Sequence, residues 1–176
     1  MTKRIVAILT VLVLALSMTA CAAAADVTEP AMDIIDYLSS LSSLDLNPYR
    51  GKVIALNFFT SWCGYCMEEM PSFKQVFTEY NPEEIEIILV HAWNGEGQKE
   101  GERVKERFGL EEMNIYEDTD CSLTNSLGII GFPTTLFIAQ DGVSVSGANG
   151  MITYDQLTQH LDTLGVSRVP AAEVTE

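Results

Sequence analysis

The seven-residue run Val53–Phe59, apolar except for Asn57, delivers the chain almost directly into Trp62-Cys63-Gly64-Tyr65-Cys66. A run of that length, without polar alternation, predicts a central strand buried on both faces. Past the cysteines, Met67-Glu68-Glu69-Met70 continues as good helix formers. Strand, short turn and helix in that order place the first cysteine at a helix N-terminus. There the free backbone N–H groups and the helix dipole stabilise a thiolate, the reactive form of cysteine. A second cysteine three positions on can close a small disulfide with it. The arrangement points to thiol–disulfide exchange.

Two other readings of the cysteine pair must be weighed. A structural zinc needs four ligands, usually from a second closely spaced pair. Cys21, Cys121, His91 and His160 remain, all isolated in sequence, so no metal is expected. A purely structural disulfide is the second alternative.

The first twenty residues have the form of an export signal, with Lys3 and Arg4 ahead of the apolar stretch Ile5 to Leu16. That stretch is shorter than the roughly 20 residues needed to span a bilayer. Ser17-Met18-Thr19-Ala20 then leads with small residues into Cys21. This resembles a bacterial lipobox, with Met18 where Leu is commonest, and the resemblance implies acylation of Cys21. Residues 1–20 are therefore expected to be a signal peptide and 21–32 an acylated cysteine with a flexible tether. A domain over 33–166 and a loose tail over 167–176 would follow. The chain carries a formal charge of −15. Loss of Lys3 and Arg4 with the signal leaves eight basic residues against 25 acidic ones, or −17. That balance excludes nucleic acid as a partner. Few cysteines in an exported chain also argue against a disulfide-stapled scaffold.

The remaining pattern alternates strands and helices. Asp33 to Ser43 predicts a short helix or an irregular lead-in, and Cys63 to about Tyr80 a helix kinked at Pro71. Strands are expected at Ile85 to His91, Asn114 to Tyr116, Thr134 to Ala139 and Val143 to Ser146, the last two joined by a turn at Gln140-Asp141-Gly142. Helices are expected at Gln98 to Phe108, Asp120 to Leu127, and from Thr153 to Gly165. The fold class is α/β, a mixed sheet with helices on both faces.

Order of elements and motif together resemble the thioredoxin fold over about Asp45 to Leu164. More narrowly, the chain is similar to the exported TlpA/ResA-type thiol–disulfide oxidoreductases. The resemblance rests on Asn57-Phe58, Trp62 to Cys66, Glu69 and Pro71, Gly131-Phe132-Pro133-Thr134-Thr135, and Asp141-Gly142. The segment Gln98 to Tyr116 matches the αβ insertion of that group. It implies that Cys63, exposed at the helix start, is the attacking thiolate and Cys66, one turn in, the resolving thiol. Glu69 is implied to be a proton carrier for Cys66, and Pro133 a cis-proline beside the disulfide. Trp62, Gly64, Tyr65, Phe132 and Pro133 would form the surface on which a substrate docks. Phe132 stands where many relatives have Thr, and Cys121 is extra: a small buried hydrophobe or a third redox thiol. His91 and His160 read as structural histidines.

The resulting expectation is a monomeric, lipid-anchored oxidoreductase on the outer face of a cell membrane. It would reduce disulfides of exported proteins, with cytochrome c apoproteins or methionine sulfoxide reductases as candidate substrates by resemblance. A membrane thiol–electron transporter would supply the electrons, and no cofactor is required. A disulfide-forming oxidase of the same fold and a non-catalytic thioredoxin-like binding module are the alternatives.

Overall fold

The computed structural model describes residues 31–170. The signal segment, Cys21 and nearly all of the tether lie outside the described residues. Five strands form one mixed sheet: β1 (Val53–Phe59), β2 (Ile85–Ala92), β3 (Asn114–Asp118), β4 (Thr134–Ile138) and β5 (Val145–Asn149), in the order β3-β2-β1-β4-β5. β1, β2 and β3 run parallel, and β4 and β5 close the other side antiparallel. The helices are α1 (Ile34–Leu41), α2 (Gly64–Glu79), α3 (Gln98–Phe108), α4 (Ser122–Ser126) and α5 (Tyr154–Thr163).

Every residue of β1 is buried, because helices cover both faces of the sheet. The two-residue period of the strand divides it between two cores. Val53, Ala55 and Phe59 pack with Met70, Phe73 and Val76 of α2 and Leu157 and Leu161 of α5. Ile54, Leu56 and Phe58 pack with Ile35 and Leu38 of α1 and with Leu123 of α4. Asn57 shares the parity of the first set, so it faces α2.

Local chemistry fixes the helix ends. Asp33 caps α1 through Asp36 N. Gly109, at φ 64°, ends α3 in the left-handed conformation that glycine adopts without penalty. Thr153 and Gln156 form a reciprocal capping box on α5. α2 stays continuous through Pro71, whose missing N–H deletes one rung of the helical ladder.

Several boundaries differ from expectation. β2 and β3 reach Ala92 and Asp118, and β4 stops at Ile138. β5 is displaced to Val145–Asn149 from the expected Val143 to Ser146. The cause is Asp141, whose carboxylate accepts from Val143 N, Ser144 N and Ser144 Oγ and so prolongs the turn. The tail expected to be loose from Ser167 is tied down at its start. Asn81 N donates to Ser167 O, Val169 N donates to Glu79 O, and the Arg168 guanidinium lies over the Tyr80 ring. Residues 171–176 lie outside the described residues.

Candidate active site

β1 ends at Phe59, and the next four residues turn into α2 with Cys63 N donating to Thr60 O at 3.3 Å. Cys63 is the N-cap of α2, and its Sγ accepts from Cys66 N at 3.1 Å. This is the placement the motif predicts: a sulfur facing the unpaired N–H groups of a first helical turn, where negative charge is stabilised. Cys63 and Cys66 are joined as a disulfide, their Cα atoms 5.2 Å apart. Cys63 was expected to be exposed, but it is only 7% open, and Cys66 is completely buried. The order of access still favours Cys63.

The flanks carry the exposure instead. Trp62 is 61% and Tyr65 65% exposed. Trp62 lies edge-on to Phe132 with ring centroids 6.3 Å apart, and its Nε1 donates to Asn94 O at 3.3 Å. The Phe132–Pro133 bond is cis. β1 and β4 pair with Phe58 opposite Thr134, so Pro133, just before β4, lies level with the last residue of β1, at the pole of the sheet where the disulfide sits. Ile130 is fully exposed in the preceding loop, and Met151 is exposed beyond β5. Sequence reasoning picked out Trp62, Tyr65, Phe132 and Pro133. It missed Ile130 and Met151, which the topology alone carries to this pole.

Glu69 lies three residues after Cys66 on α2, hence on the same face of the helix. It is 1% exposed. Its Oε1 accepts from Asn57 Nδ2 at 2.7 Å and its Oε2 from Ile152 N at 2.9 Å. Burial raises its pKa to about 7, although the two hydrogen bonds pull the other way. Asn57 Nδ2 also reaches Thr135 Oγ1 at 3.1 Å, and Asn57 Oδ1 has no partner. A side amide of β1, a carboxyl of α2 and a backbone N–H before α5 thus converge behind the disulfide. The role of Ile152 N had no sequence signal, because any residue type could supply it.

Cys121 is a free, half-buried thiol at φ 55° ahead of α4. Burial first, then Asp118 and Asp120, raise its pKa, which disfavours a reactive thiolate there. His160 stacks on Phe137 at 4.7 Å. His91 is wholly buried between two carboxylates, from Glu96 and Glu117, a grouping assembled from separate segments.

Known proteins share this design. The Redoxin family profile matches residues 23–167. Thiol-disulfide oxidoreductase ResA of Geobacillus thermodenitrificans is 34% identical over 119 residues, covering 68% of this chain and 67% of the relative. Sporulation thiol-disulfide oxidoreductase A of Bacillus subtilis is 25% identical over 163 residues, 90% of this chain and 97% of the relative. The crystal structure of StoA from Bacillus subtilis superposes with a TM-score of 0.54 at 25% identity, over 64% of this chain and 84% of that one. A disulfide at the head of α2, a thioredoxin-type sheet and this kinship agree: the chain belongs to the Redoxin family and is a thiol–disulfide oxidoreductase of the ResA/StoA type, with Cys63 and Cys66 as its cysteine pair.

Proposed function

We propose that the protein works mainly as a reductant of disulfides in exported proteins, held by lipid on Cys21 at the outer face of the cell membrane. The observation that carries the chemical part is the pairing of an N-cap sulfur on Cys63 with a buried carboxyl near neutrality on Glu69. In the reduced protein, the Cys63 thiolate attacks one sulfur of a substrate disulfide. A mixed disulfide forms, and the first substrate sulfur leaves and takes a proton. Cys66 then gives its proton to Glu69 and attacks Cys63 Sγ, expelling the second substrate sulfur. Two electrons pass to the substrate, and Cys63–Cys66 closes into the disulfide seen here. A carboxyl with a pKa of about 7 can take that proton and return it when the pair is reduced again.

The substrate strand lies along Phe132–Pro133, between the exposed rings of Trp62 and Tyr65 and the Ile130 loop. No cation stands between the sulfurs in Gly64-Tyr65, and the chain is strongly acidic. Both disfavour an extreme thiolate and so support the reducing direction over the oxidase alternative. A membrane thiol–electron transporter is the class of donor that would restore the dithiol. Cytochrome c apoproteins and methionine sulfoxide reductases are candidate substrates.

The test is insulin reduction together with trapping. Cys63→Ser abolishes turnover, and Cys66→Ser accumulates mixed disulfides through Cys63. Trapping through Cys66 in place of Cys63 would reverse the assignment, and a pair that oxidises reduced substrates but fails to reduce insulin would make the protein an oxidase.

A further inference from the structure

A second buried polar cluster lies on the same face of the sheet as α2 and takes no part in the exchange steps. His91, on β2, pairs across the sheet with Glu117 on β3. Its Nδ1 lies 2.7 Å from Glu117 Oε2 and its Nε2 lies 2.9 Å from Glu96 Oε1. The ring is completely buried and stacks on Phe59, centroids 5.1 Å apart. The ring bridges the two carboxylates through both of its nitrogens. The nitrogens point in opposite directions, so the three side chains converge on no common point where a cation could sit. Gly101 of α3 seals the cluster, since a Cβ there would stand 2.7 Å from both His91 Nδ1 and Glu117 Oε1.

The cluster ends at the active-site turn. Glu96 Oε1 also accepts from Ser61 N at 2.8 Å, and Glu96 Oε2 accepts from Ser61 Oγ. Ser61 and Trp62 are the two central residues of the Thr60–Cys63 turn. The first is tied to Glu96, and the second, through its indole N–H, to Asn94 O. The loop after β2 therefore clamps both middle residues of the turn that sets where α2 begins.

We infer that Glu96, held in place by the His91–Glu117 pair, is a positioning residue for Cys63, fixing its sulfur against the N-terminal N–H groups of α2. The loop after β2 thereby sets the reactivity of a cysteine it does not contain. The inference rests on the reading of Cys63 as the attacking thiol.

The direction of the effect separates positioning from charge. Removing the Glu96 carboxylate takes a negative charge from the neighbourhood, which by itself would lower the pH at which Cys63 becomes a thiolate. Releasing the turn weakens the hydrogen bonds and dipole that stabilise that thiolate, which raises it. The experiment follows iodoacetamide alkylation of the reduced protein against pH, with peptide mapping of the modified cysteine and circular dichroism of each variant. Glu96→Ala raises the Cys63 midpoint by about half a unit or more. Glu96→Gln, which keeps an acceptor for Ser61 N, recovers most of that shift. Ser61→Ala and His91→Gln each raise the midpoint, and the double variant shows less than the sum because both act through Glu96. An unchanged or lowered midpoint in a folded Glu96→Ala protein overturns the inference. Where Glu96→Ala does not fold, an unchanged midpoint in Ser61→Ala does so. Alkyl label on Cys66 of the wild-type protein would overturn the parent reading instead.

Discussion

Glu69→Gln should make the protein more stable at alkaline pH and leave it unchanged in acid. The native carboxyl has a pKa of about 7, against an ordinary value of 4.5 in the unfolded chain. Below 4.5 both states hold the proton and the site is neutral on stability. As pH rises to about 7, the unfolded chain releases a proton that the native chain keeps, so stability falls. Above that, the native protein carries a buried charge whose full penalty is felt. At about 1.4 kcal/mol per unit, the loss comes to about 3 kcal/mol, and with Glu69 1% exposed little of it is screened by solvent. Glutamine removes the charge and keeps the shape. Its oxygen can accept from Ile152 N, and its amide can donate to the Asn57 oxygen that now lacks a partner, if the Asn57 amide turns over. Urea unfolding of the oxidised protein at intervals from pH 4 to 8.5 gives the two stability curves. They should coincide at pH 4 and separate by about 3 kcal/mol at pH 8. Other carboxylates titrate in both proteins and cancel in the difference. Parallel curves would show that Glu69 titrates in the native protein as it does in the unfolded chain, and the proton-carrier role would fall with it.

Gly101→Ala should cost about 1–3 kcal/mol in the same assay, the usual cost of overpacking, because the new methyl meets the buried His91 ring and Glu117; equal midpoints would mean that the cluster yields easily. Cys21→Ala should release the protein from membranes, and labelled fatty acid should enter only the wild type. Wild-type protein recovered free in the medium, with no acyl mass on Cys21, would sink the anchor.

The parts of the site legible in sequence are those written in consecutive residues. The cysteine pair, Trp62 and Glu69 follow from one strand–turn–helix segment, and Pro133 from its family resemblance. What faced what was harder. The seven buried residues of β1 gave no alternation to read, so the direction of Asn57 toward Glu69 emerged only once helices covered both faces. His91 was recognisable as a structural histidine, but its partners come from a loop five residues on and a strand 26 residues on. No spacing rule joins three such segments; the parallel β2–β3 register does. The early part of the tail escaped notice for a related reason. One pairing of Arg168 with Tyr80 leaves no periodic mark.

The junction at the start of the domain has a consequence for reach. Ile34 N donates to Gly142 O, so α1 begins against the turn between β4 and β5. β4 runs from Thr134, at the pole of the sheet where the disulfide sits, to that turn, and β1 runs back the other way. The chain thus enters the domain at one end of these strands and exposes its sulfur chemistry at the other. Whatever restrains the segment upstream of Met32 pulls on the far pole. Under the lipid anchor proposed for Cys21, the attachment would enter the domain at the pole opposite its redox face. Partners in solution would meet that face first. Under that proposal, a donor embedded in the same membrane would have to extend a domain of its own to reach it.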